Sequence, residues 1–431
     1  MLIGDIARIN ARRFKDKIAF KDEKTEVSFE KVNDRSNSLV RALMDVGLQK
    51  GDRIAVLLYN CMEYNEILFA LPKGGFITVP LNYRLVGREL TYIIENSEAC
   101  TLIYGDEFSD TVEEIRDQLS CVSNYIIVGN GNESKAEALH YDKMIKDHPP
   151  SGFSVQAKES DIAFIIYTSG TTGFPKGAML THKNIITNLF NAVFERSPKQ
   201  DDRLFNVPPL YHCAAQTETM SYFFCGGLTI TRKQFDPQIV LETIRAEKPN
   251  VLLLVPAMQN MVINHPSIGD YDLNCVELML YGGSSMMRSQ LEKSMEIFGC
   301  KFLQTAGLTE AGPILTMLAP EDHVIDGPEY IVQRLSSAGK EAKLTEVKIV
   351  DSKGNELPPN TPGEEIARGD NVMKGYWNRP EETANTIING WLHTGDICMK
   401  DEYGYIYYLD RIKDMICRGG EKMSTLEKLK K

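Results

Sequence analysis

The stretch of this sequence that concentrates the most chemistry is YTSGTTGFPKG, from Tyr167 to Gly177. Its eleven residues include three glycines, five side chains with a hydroxyl group, and Lys176. Glycines allow several backbone N–H groups to converge on one anion, hydroxyl groups add donors, and a lysine supplies the opposite charge. The composition therefore indicates a phosphate-binding loop, with a flexible surface turn as the alternative.

The spacing of this loop differs from two common nucleotide-binding patterns. A Walker loop has Gly-Lys followed by Ser or Thr, whereas Lys176 lies between Pro175 and Gly177. A dinucleotide fingerprint has G-x-G-x-x-G after a strand, and the sequence contains no such run. A phosphate bound here would be held by a different arrangement.

Alternating strand and helix patterns must position the loop. RIAVLLYN, FITVPLN and CTLIYG are typical of short buried strands, and GRELTYIIENSE and EEIRDQL of helices, which together indicate a parallel sheet covered on both faces. The same rhythm resumes after the loop with the helical HKNIITNLFNAVFE and the strands LTITR, VLLLVP and CVELMLYGG. From about Leu335, alternation, clustered prolines and a turn at Ser352–Asn355 indicate antiparallel strands instead.

Length and composition set the outer bounds. A chain of 431 residues suggests two to four packing units, and a net charge of −11 argues against nucleic-acid binding. Nine cysteines without a C-x-x-C pair indicate reduced thiols. The longest apolar windows, such as Val251–Val255, are too short for a membrane span, and the N-terminus has no signal-peptide pattern. We therefore expect a cytoplasmic protein without a transmembrane segment.

The sixteen residues YTSGTTGFPKGAMLTH resemble the signature loop of the adenylate-forming acyl-CoA synthetase superfamily. Further motifs that resemble those of the family follow in the family's order: PPLYH, YGGSSM, GLTEAG, GYWNRPEET, WLHTGD and DRIKDMI. The resemblance covers the chain up to about Glu421. It implies that the loop binds the β- and γ-phosphates of ATP.

The resemblance, taken with the strand and helix pattern, implies an α/β fold with two doubly wound α/β subdomains and a small antiparallel β-barrel-like subdomain. The expected boundaries are 1–166, 167–325 (opening with the phosphate loop), 326–410, and 411–431 as the hinge and remnant of a lid domain.

The family's reaction has two steps, which the resemblance implies for this chain. A carboxylate attacks the α-phosphate of ATP to give an acyl-adenylate and pyrophosphate, and the thiol of coenzyme A then displaces AMP. The implied cofactors and substrates are ATP, Mg²⁺, coenzyme A and a small-molecule carboxylic acid. A homodimer is left open. The first step requires neutralisation of charge along the triphosphate.

Catalytic and phosphate-binding roles are implied residue by residue. Thr309 resembles the family's α-phosphate contact and Glu310 its Mg²⁺ ligand, although Thr-Glu is also typical of a helix start. The implied phosphate-binding residues are Thr168, Ser169, Gly170, Thr171, Thr172, Gly173 and Lys176, of which Lys176 joins Thr309 and Glu310 as catalytic.

The remaining implied contacts surround the nucleoside and the acyl group. Asp396 resembles the ribose ligand, with a turn aspartate as the alternative, and Arg411 a second ribose or phosphate contact, with a surface salt bridge as the alternative. His393 is interpreted as structural. The residues implied along the adenine are Gly282, Gly283, Ser284, Ala306 and Gly307. Those implied at the acyl pocket are Tyr211, His212 (an aromatic gate, or else a core histidine) and Gln216.

Two departures from the family pattern stand out. Ala306 replaces a commonly aromatic residue, and lost stacking on adenine would cost about 1–3 kcal/mol unless the smaller side chain instead widens the acyl pocket. Lys413 matches the family's hinge, and the sequence ends shortly after it, so we expect the C-terminal lid domain, with its catalytic lysine, to be missing and thioester formation to be poor.

Several functions remain compatible with these residues. The leading hypothesis is an acid–CoA ligase for a medium- or long-chain fatty acid, with an aromatic acid as the second choice. A non-catalytic nucleotide- or acyl-adenylate-binding protein is an alternative, as is an acyl-AMP ligase. Amino-acid activation is disfavoured, because PLYHCAAQ offers no carboxylate to pair with an α-ammonium group.

Overall fold

The computed structural model describes residues 1–129, 138–152, 157–168, 174–411, 416–418 and 421–423, with only the backbone described at 411, 416–418 and 421–423. Within them the α-helices are α1 (Ile3–Arg13), α2 (Phe29–Asp45), α3 (Met62–Gly74), α4 (Gly87–Ser97), α5 (Ser109–Ile115), α6 (Tyr141–Asp147), α7 (His182–Arg196), α8 (Cys213–Cys225), α9 (Pro237–Glu247), α10 (Pro256–Ile263), α11 (Arg288–Phe298), α12 (Glu329–Val332) and α13 (Pro380–Thr386).

The strands of the first half are β1 (Ile18–Lys21), β2 (Glu26–Ser28), β3 (Arg53–Leu57), β4 (Ile77–Pro80), β5 (Thr101–Gly105), β6 (Asn124–Val128), β7 (Leu139–His140), β8 (Ile162–Thr168), β9 (Lys176–Thr181), β10 (Arg203–Asn206) and β11 (Leu228–Thr231). Those of the second half are β12 (Val251–Leu253), β13 (Leu278–Gly282), β14 (Lys301–Ala306), β15 (Thr316–Leu318), β16 (Lys340–Glu341), β17 (Thr345–Val350), β18 (Gly363–Gly369), β19 (Gly375–Tyr376), β20 (Ile387–Ile388), β21 (Trp391–Lys400), β22 (Ile406–Arg411), β23 (Ile416–Arg418) and β24 (Glu421–Met423).

The chain folds into two compact units. Unit 1 comprises Met1–Leu189, Pro198–Asp236 and Met373–Arg379. Unit 2 comprises Phe190–Ser197, Pro237–Val372 and Pro380–Lys431. A short segment late in the sequence, Met373–Arg379, thus belongs to the unit that is otherwise built from the first half of the chain.

Unit 1 contains an eight-stranded sheet in the order β19-β9-β8-β4-β3-β5-β6-β7. The strands from β8 to β7 pair in parallel, whereas β9 is antiparallel to both β8 and β19. Unit 1 also contains strands in the order β10-β11-β1-β2, of which the first three run parallel. The phosphate loop joins β8 to β9, so it lies where the sheet changes from parallel to antiparallel.

The core of unit 1 follows from the apolar strands. Alternate side chains of β3 and β5, such as Leu57 and Leu102, are fully buried against Ile94 of α4. Ser28 begins α2, because its Oγ accepts a hydrogen bond (3.3 Å) from the Lys31 backbone N–H. Gly75 ends α3 in the left-handed conformation, with φ of 74°. These local signals fix where the helices covering the sheet start and stop.

Unit 2 combines parallel and antiparallel pairing. Strands β12, β13 and β14 run parallel, and β15 and β16 add antiparallel edges in the order β16-β15-β14-β13-β12. A separate antiparallel sheet has the order β17-β18-β21-β20, with β22 also paired to β21. It is the β-rich part expected from about Leu335.

The predicted fold class is confirmed: helices accompany mainly parallel strands, and a smaller antiparallel sheet follows them along the chain. Every strand and helix named above from the sequence is present to within a few residues. In the part of the chain that the structure describes, no helix is both long enough and apolar enough to cross a membrane.

Candidate functional site

In unit 1, the predicted phosphate loop is closed at its base by a β-hairpin. Thr168 pairs with Lys176 and Tyr167 with Gly177 at the ends of β8 and β9. A Cβ at Gly177 would lie 2.6 Å from the Ile165 Cγ2 atom, so only glycine fits this pair. The hairpin places Lys176 at the mouth of the loop. Ser169, Gly170, Thr171, Thr172 and Gly173 lie outside the described residues.

Aromatic side chains brace the hairpin from the side. The rings of Tyr92 and Phe174 lie 4.9 Å apart, and the Tyr92 hydroxyl donates a hydrogen bond (3.2 Å) to the Pro175 carbonyl oxygen. The Tyr167 hydroxyl donates to Asn96 Oδ1 at 2.7 Å, and burial raises the pKa of this tyrosine above its usual value. Residues distant in sequence thus fix both ends of the loop.

A third strand completes this edge and brings Tyr376 to the lysine. Strand β19 pairs with β9, so that Tyr376 lies opposite Ala178. The Lys176 Nζ atom lies 5.1 Å from the centre of the buried Tyr376 ring, within range of a cation–π interaction. The Trp377 indole N–H donates (3.1 Å) to the Asn96 carbonyl oxygen. The GYWNRPEET motif had no role assigned from the sequence, and pairing with β9 supplies one.

The PPLYH segment of unit 1 is fixed by an amide that the sequence did not indicate. The Asn60 side chain donates to the Pro208 carbonyl oxygen (3.1 Å) and accepts from the Leu210 backbone N–H (2.7 Å). The rings of Tyr211 and His212 lie 4.3 Å apart, and Tyr211 also contacts Tyr83 edge-on. The segment therefore presents a row of rings directly before α8.

His212 combines exposure with a lowered pKa. Its side chain remains open to solvent, which limits how far desolvation can act. Partial desolvation and the positive charge of Arg84 nevertheless both lower the pKa of the imidazole. A neutral ring at neutral pH fits an aromatic gate better than a charged anchor, and its exposure argues against the core-histidine alternative.

Gln216 lies on the first turn of α8 and is almost fully buried. Its Nε2 donates to the Leu210 carbonyl oxygen at 2.8 Å, while Oε1 has no hydrogen-bond partner among the described residues. A buried acceptor without a donor is costly, so Oε1 is suited to a donor from a bound molecule or water.

In unit 2, the two glycines of YGGSSM differ. A Cβ at Gly282 would lie 2.1 Å from the Thr305 carbonyl oxygen on the neighbouring strand, whereas one at Gly283 would meet no atom within 4 Å. Gly283 and Ser284 are exposed. The first glycine is therefore needed for strand packing, and the second leaves free backbone against which a planar ring could lie.

The GLTEAG segment forms a tight turn after β14. Thr309–Ala311 is a single 3-10 turn, preceded by the N-cap Leu308 and followed by Gly312 with φ of 70°. The segment thus starts a short helix with Glu310 in its first turn, as the alternative interpretation expects, but with Leu308 rather than Thr309 as the N-cap. Ala306 and Gly307 lie at the end of β14, and Glu310 is 8% exposed.

A buried asparagine holds this turn in place. The Asn371 side-chain amide donates to the carbonyl oxygens of Ala311 (3.1 Å) and Ile314 (3.0 Å). Asn371 is fully buried. It could not be identified from the sequence, because a single asparagine between motifs carries no signal until the turn it supports is known.

Asp396 lies inside strand β21 rather than in a turn, and Arg411 lies opposite it on β22. The Asp396 backbone N–H donates to Thr394 Oγ1 at 3.1 Å, which helps to fix the backbone that carries this carboxylate. His393 pairs with Glu364 at 2.9 Å, in agreement with the structural role assigned to it. The side chain of Arg411, and Lys413 altogether, lie outside what the structure describes.

A fully buried carboxyl group lies near Asp396. Glu365 Oε2 accepts a hydrogen bond (3.0 Å) from the Tyr408 hydroxyl, whereas Oε1 has no partner among the described residues. Burial raises the pKa of Glu365 to about 8, with a further contribution from the negative charge of Asp396. Glu365 is therefore largely protonated at neutral pH.

No group of three or more His, Cys, Asp or Glu side chains within the described ranges could hold a metal ion by itself. A phosphate-rich substrate commonly supplies the remaining ligands of a divalent cation that is held by one protein carboxylate.

Residues 7–377 match the family of AMP-binding enzymes. A feruloyl-CoA synthase of Amycolatopsis sp is 33% identical over 404 residues, covering 94% of this chain and 77% of the relative. A long-chain-fatty-acid–CoA ligase of Escherichia coli O6:H1 is 32% identical over 448 residues, covering 96% and 78%. The solved anthranilate CoA ligase AuaEII, in complex with anthranoyl-AMP, superposes with a TM-score of 0.91 at 25% identity, covering 99% of this chain and 81% of that one.

Proposed function

Because this chain belongs to the AMP-binding enzyme family of ATP-dependent acid–CoA ligases, we propose that it activates a medium- or long-chain fatty acid. An oxygen of the acid attacks the α-phosphorus of ATP, and the bond from that phosphorus to the bridging oxygen breaks. Pyrophosphate leaves with the bonding electrons. The sulfur of coenzyme A then attacks the acyl carbon, and AMP leaves.

Lys176 carries the proposal. Lys176 closes the β8–β9 hairpin opposite Thr168, and its ammonium lies 5.1 Å from the centre of the Tyr376 ring. From there its positive charge would stabilise the β- and γ-phosphates, where negative charge accumulates as pyrophosphate departs. Thr168 at the other end of the hairpin adds a hydroxyl donor.

The residues of unit 2 suit the adenosine and the α-phosphate of a nucleotide. The exposed backbone at Gly283 leaves space for the adenine plane, and Asp396 in β21 carries a carboxylate that would accept hydrogen bonds from the ribose hydroxyls. Thr309 offers a hydroxyl donor to the α-phosphate. Its place in a one-turn helix that also carries Glu310 keeps the two side chains in a fixed relation.

Mg²⁺ fits the donor set of the Thr309–Ala311 turn. Glu310 is a hard oxygen ligand, and one protein carboxylate together with phosphate oxygens is a common way to hold this ion. When bound, Mg²⁺ would neutralise part of the phosphate charge. The burial of Glu310, 8% exposed, restricts its rotamers and so favours one orientation of the carboxylate.

An apolar acid fits the acyl-site residues. Tyr211 and His212 present rings, His212 is neutral, and the buried Gln216 offers an amide rather than a charge. None of these three side chains is a fixed cation or carboxylate, and the nearest cation named here is Arg84, whose charge lowers the pKa of His212. The fatty-acid ligase of Escherichia coli, 32% identical, is compatible with this assignment.

An aromatic acid is the second candidate. The ring row continues from Tyr211 to Tyr83 and Tyr59, and the centroids of the last two lie 4.5 Å apart. Rings stack on a planar substrate better than on a flexible chain. The relative named for feruloyl-CoA, at 33% identity, favours the same alternative.

Thermal stabilisation by a ligand panel tests the proposal. Bound ligand stabilises the fold by RT ln(1 + [L]/Kd), so the measurement reports binding without requiring turnover. The panel contains AMP, Mg·ATP, and non-hydrolysable fatty acyl-adenylate mimics of graded length with feruloyl and anthranoyl mimics beside them. Shifts that grow with chain length support a fatty acid, and a maximum at the aromatic mimics supports the second candidate. No shift with any ligand would refute the nucleotide site.

Pyrophosphate release separates a ligase from a non-catalytic binder. It is measured with the preferred acid and Mg·ATP, with and without the C-terminal domain of a family member added. Release under either condition supports the ligase. Tight nucleotide binding with no release under both would favour the binder.

A further inference from the structure

We propose that Tyr376 is a positioning residue that holds the Lys176 ammonium for the phosphates of ATP, an inference that rests on the proposed function. Tyr376 belongs to Met373–Arg379, which is far from the phosphate loop in sequence but part of unit 1. The ring beside the Lys176 ammonium is therefore supplied by a segment late in the chain, although both residues belong to unit 1.

Strand geometry explains why these two side chains meet. Tyr376 lies opposite Ala178 on β9, and residues two apart in a strand point to the same face. Lys176 is thus the diagonal neighbour of Tyr376, at a separation that an aromatic ring and a long side chain can bridge. Ala178 between them is too small to fill the space. The observed 5.1 Å from Nζ to the ring centre follows from this register.

The backbone on both sides of Tyr376 fixes the register. The Lys374 N–H donates to the Met179 carbonyl oxygen at 2.9 Å, and the Trp377 N–H donates to the Gly177 carbonyl oxygen at 2.8 Å. The Trp377 indole is in turn held by the Asn96 carbonyl oxygen and lies 5.7 Å from the Arg53 guanidinium. The backbone that carries Tyr376 is therefore held on both sides, and the Tyr376 side chain is itself buried.

A ring and a carboxylate beside the ammonium differ in how much of its positive charge remains available to a ligand. A carboxylate would position the ammonium but cancel its charge and compete with phosphate for it. The ring attracts the cation through its quadrupole and leaves the charge intact. Because a free lysine loses much rotamer entropy on ordering, a lysine already held beside a ring has less to lose when ATP arrives.

The decisive test changes the electrostatics of the ring without changing its shape. In the full chain, Tyr376→Phe keeps the negative ring face, whereas Tyr376→pentafluorophenylalanine keeps the size and inverts the quadrupole. We expect Mg·ATP affinity within about twofold of wild type for the first and about five- to tenfold weaker for the second and for Tyr376→Leu. Calorimetric titration measures all of these.

A comparison of the affinities for AMP and for Mg·ATP separates the proposed role of Tyr376 from a purely structural one. AMP lacks the β- and γ-phosphates, so its affinity should be unchanged in every Tyr376 variant. In a Lys176→Ala background, Tyr376→Leu should cause no further loss of Mg·ATP affinity. Tyr271→Leu, which removes a ring 5.0 Å from Arg245 outside all the site motifs, is the matched control and should have no effect.

The outcomes distinguish failure of the Tyr376 role from failure of the nucleotide site. Equal weakening of AMP and Mg·ATP, or an unchanged Mg·ATP affinity in the pentafluorophenylalanine variant while Lys176→Ala weakens it, would overturn the role of Tyr376 and leave the nucleotide site intact. A wild-type chain that binds neither nucleotide would instead overturn the proposed function.

Discussion

The lysine-bearing hairpin of unit 1 and the glutamate-bearing turn of unit 2 hold opposite charges by different means. Lys176 has a long flexible side chain, and a ring beside it at 5.1 Å restricts where its ammonium lies. Glu310 has a short side chain, so its position is set by the backbone of a one-turn helix that Asn371 fastens through two carbonyl oxygens.

The difference follows from the number of rotatable bonds. A lysine needs support near its tip, because fixing its backbone leaves four torsions free. A glutamate next to a fixed turn needs support at the backbone, where a missing hydrogen bond would move the whole side chain. In unit 1 the supporting residue is therefore an aromatic ring next to the charge, and in unit 2 it is a buried amide that holds the turn carrying the charge.

The largest expected effect is an opposite pH response of two buried groups, Glu365 in unit 2 and His182 in unit 1. In unit 2, burial raises the pKa of Glu365 to about 8, so the folded state keeps a proton that the unfolded state loses above about 4.5. This contribution to stability is full below about pH 4.5 and is lost as the pH rises to about 8. In unit 1, burial lowers the pKa of His182 to about 4, so its contribution is full above about pH 6.5 and is lost as the pH falls.

Denaturant unfolding across pH 4–9 checks this response. Each group can change the free energy of unfolding by at most about 1.4 kcal/mol per pH unit, which amounts to a few kcal/mol across its window. Glu365→Gln should flatten the decline at high pH, and His182→Asn the decline at low pH. The chain's two tryptophans, Trp377 in unit 1 and Trp391 in unit 2, report each unit once the other is replaced by Phe. Identical pH profiles for both variants would contradict the assignment.

Close packing of glycine in unit 2 gives the next largest effect. Gly282→Ala would place its Cβ 2.1 Å from the Thr305 carbonyl oxygen, and we expect a loss of about 3 kcal/mol in the free energy of unfolding. The neighbouring Gly283→Ala meets no atom within 4 Å but has φ of 80°, so it should lose only about 1 kcal/mol. Denaturant titration compares them. An equal loss in the free energy of unfolding for both variants would mean that the position of the two glycines at the strand end, and not the close contact with Thr305, determines the loss.

Replacement of Asn371, whose side-chain amide holds the turn that carries Glu310, should lower the free energy of unfolding by about 2 kcal/mol. Asn371→Ala leaves two carbonyl oxygens without their donor in the interior. It should also weaken Mg·ATP binding, because Glu310 is positioned through this turn. Asn371→Asp should be worse than Ala, since a carboxylate cannot donate to either carbonyl oxygen. The exposed Asn264→Ala is the control and should change stability by less than about 0.5 kcal/mol. An unchanged Mg·ATP affinity in Asn371→Ala would show that the turn keeps its position without the hydrogen bonds from Asn371.

The smallest effect is expected at the side of the lysine hairpin. Tyr92→Phe removes the hydrogen bond to the Pro175 carbonyl oxygen but keeps the ring against Phe174, so stability should fall by about 0.5–1 kcal/mol with nucleotide affinity unchanged. Tyr92→Leu, which also removes the ring contact, should weaken Mg·ATP binding. If the two variants behave alike, the rings do not brace the loop.

The sequence indicated the charged candidate residues of the site more directly than the residues that support them. Lys176 and Glu310 were identifiable because their motifs are contiguous, and the α/β rhythm followed from apolar runs of strand length. Asn371 and Asn60 carried no such signal, and Tyr376 lay in the GYWNRPEET motif without an assigned role, since each acts on a segment at least several tens of residues away. The buried carboxyl group of Glu365 could not be identified from the sequence either, because its burial depends on the strands that surround it.

What the sequence determined by itself is the local chemistry. Closely spaced glycines, hydroxyls and one lysine predict a phosphate-binding loop, and strand-length apolar runs predict the sheet. Only the tertiary structure decided that the loop closes a hairpin at the antiparallel edge, that Tyr376 lies diagonal to Lys176, and that Asn371 fastens the turn of Glu310. Such contacts depend on strand register and on burial between distant segments, which a one-dimensional pattern does not encode.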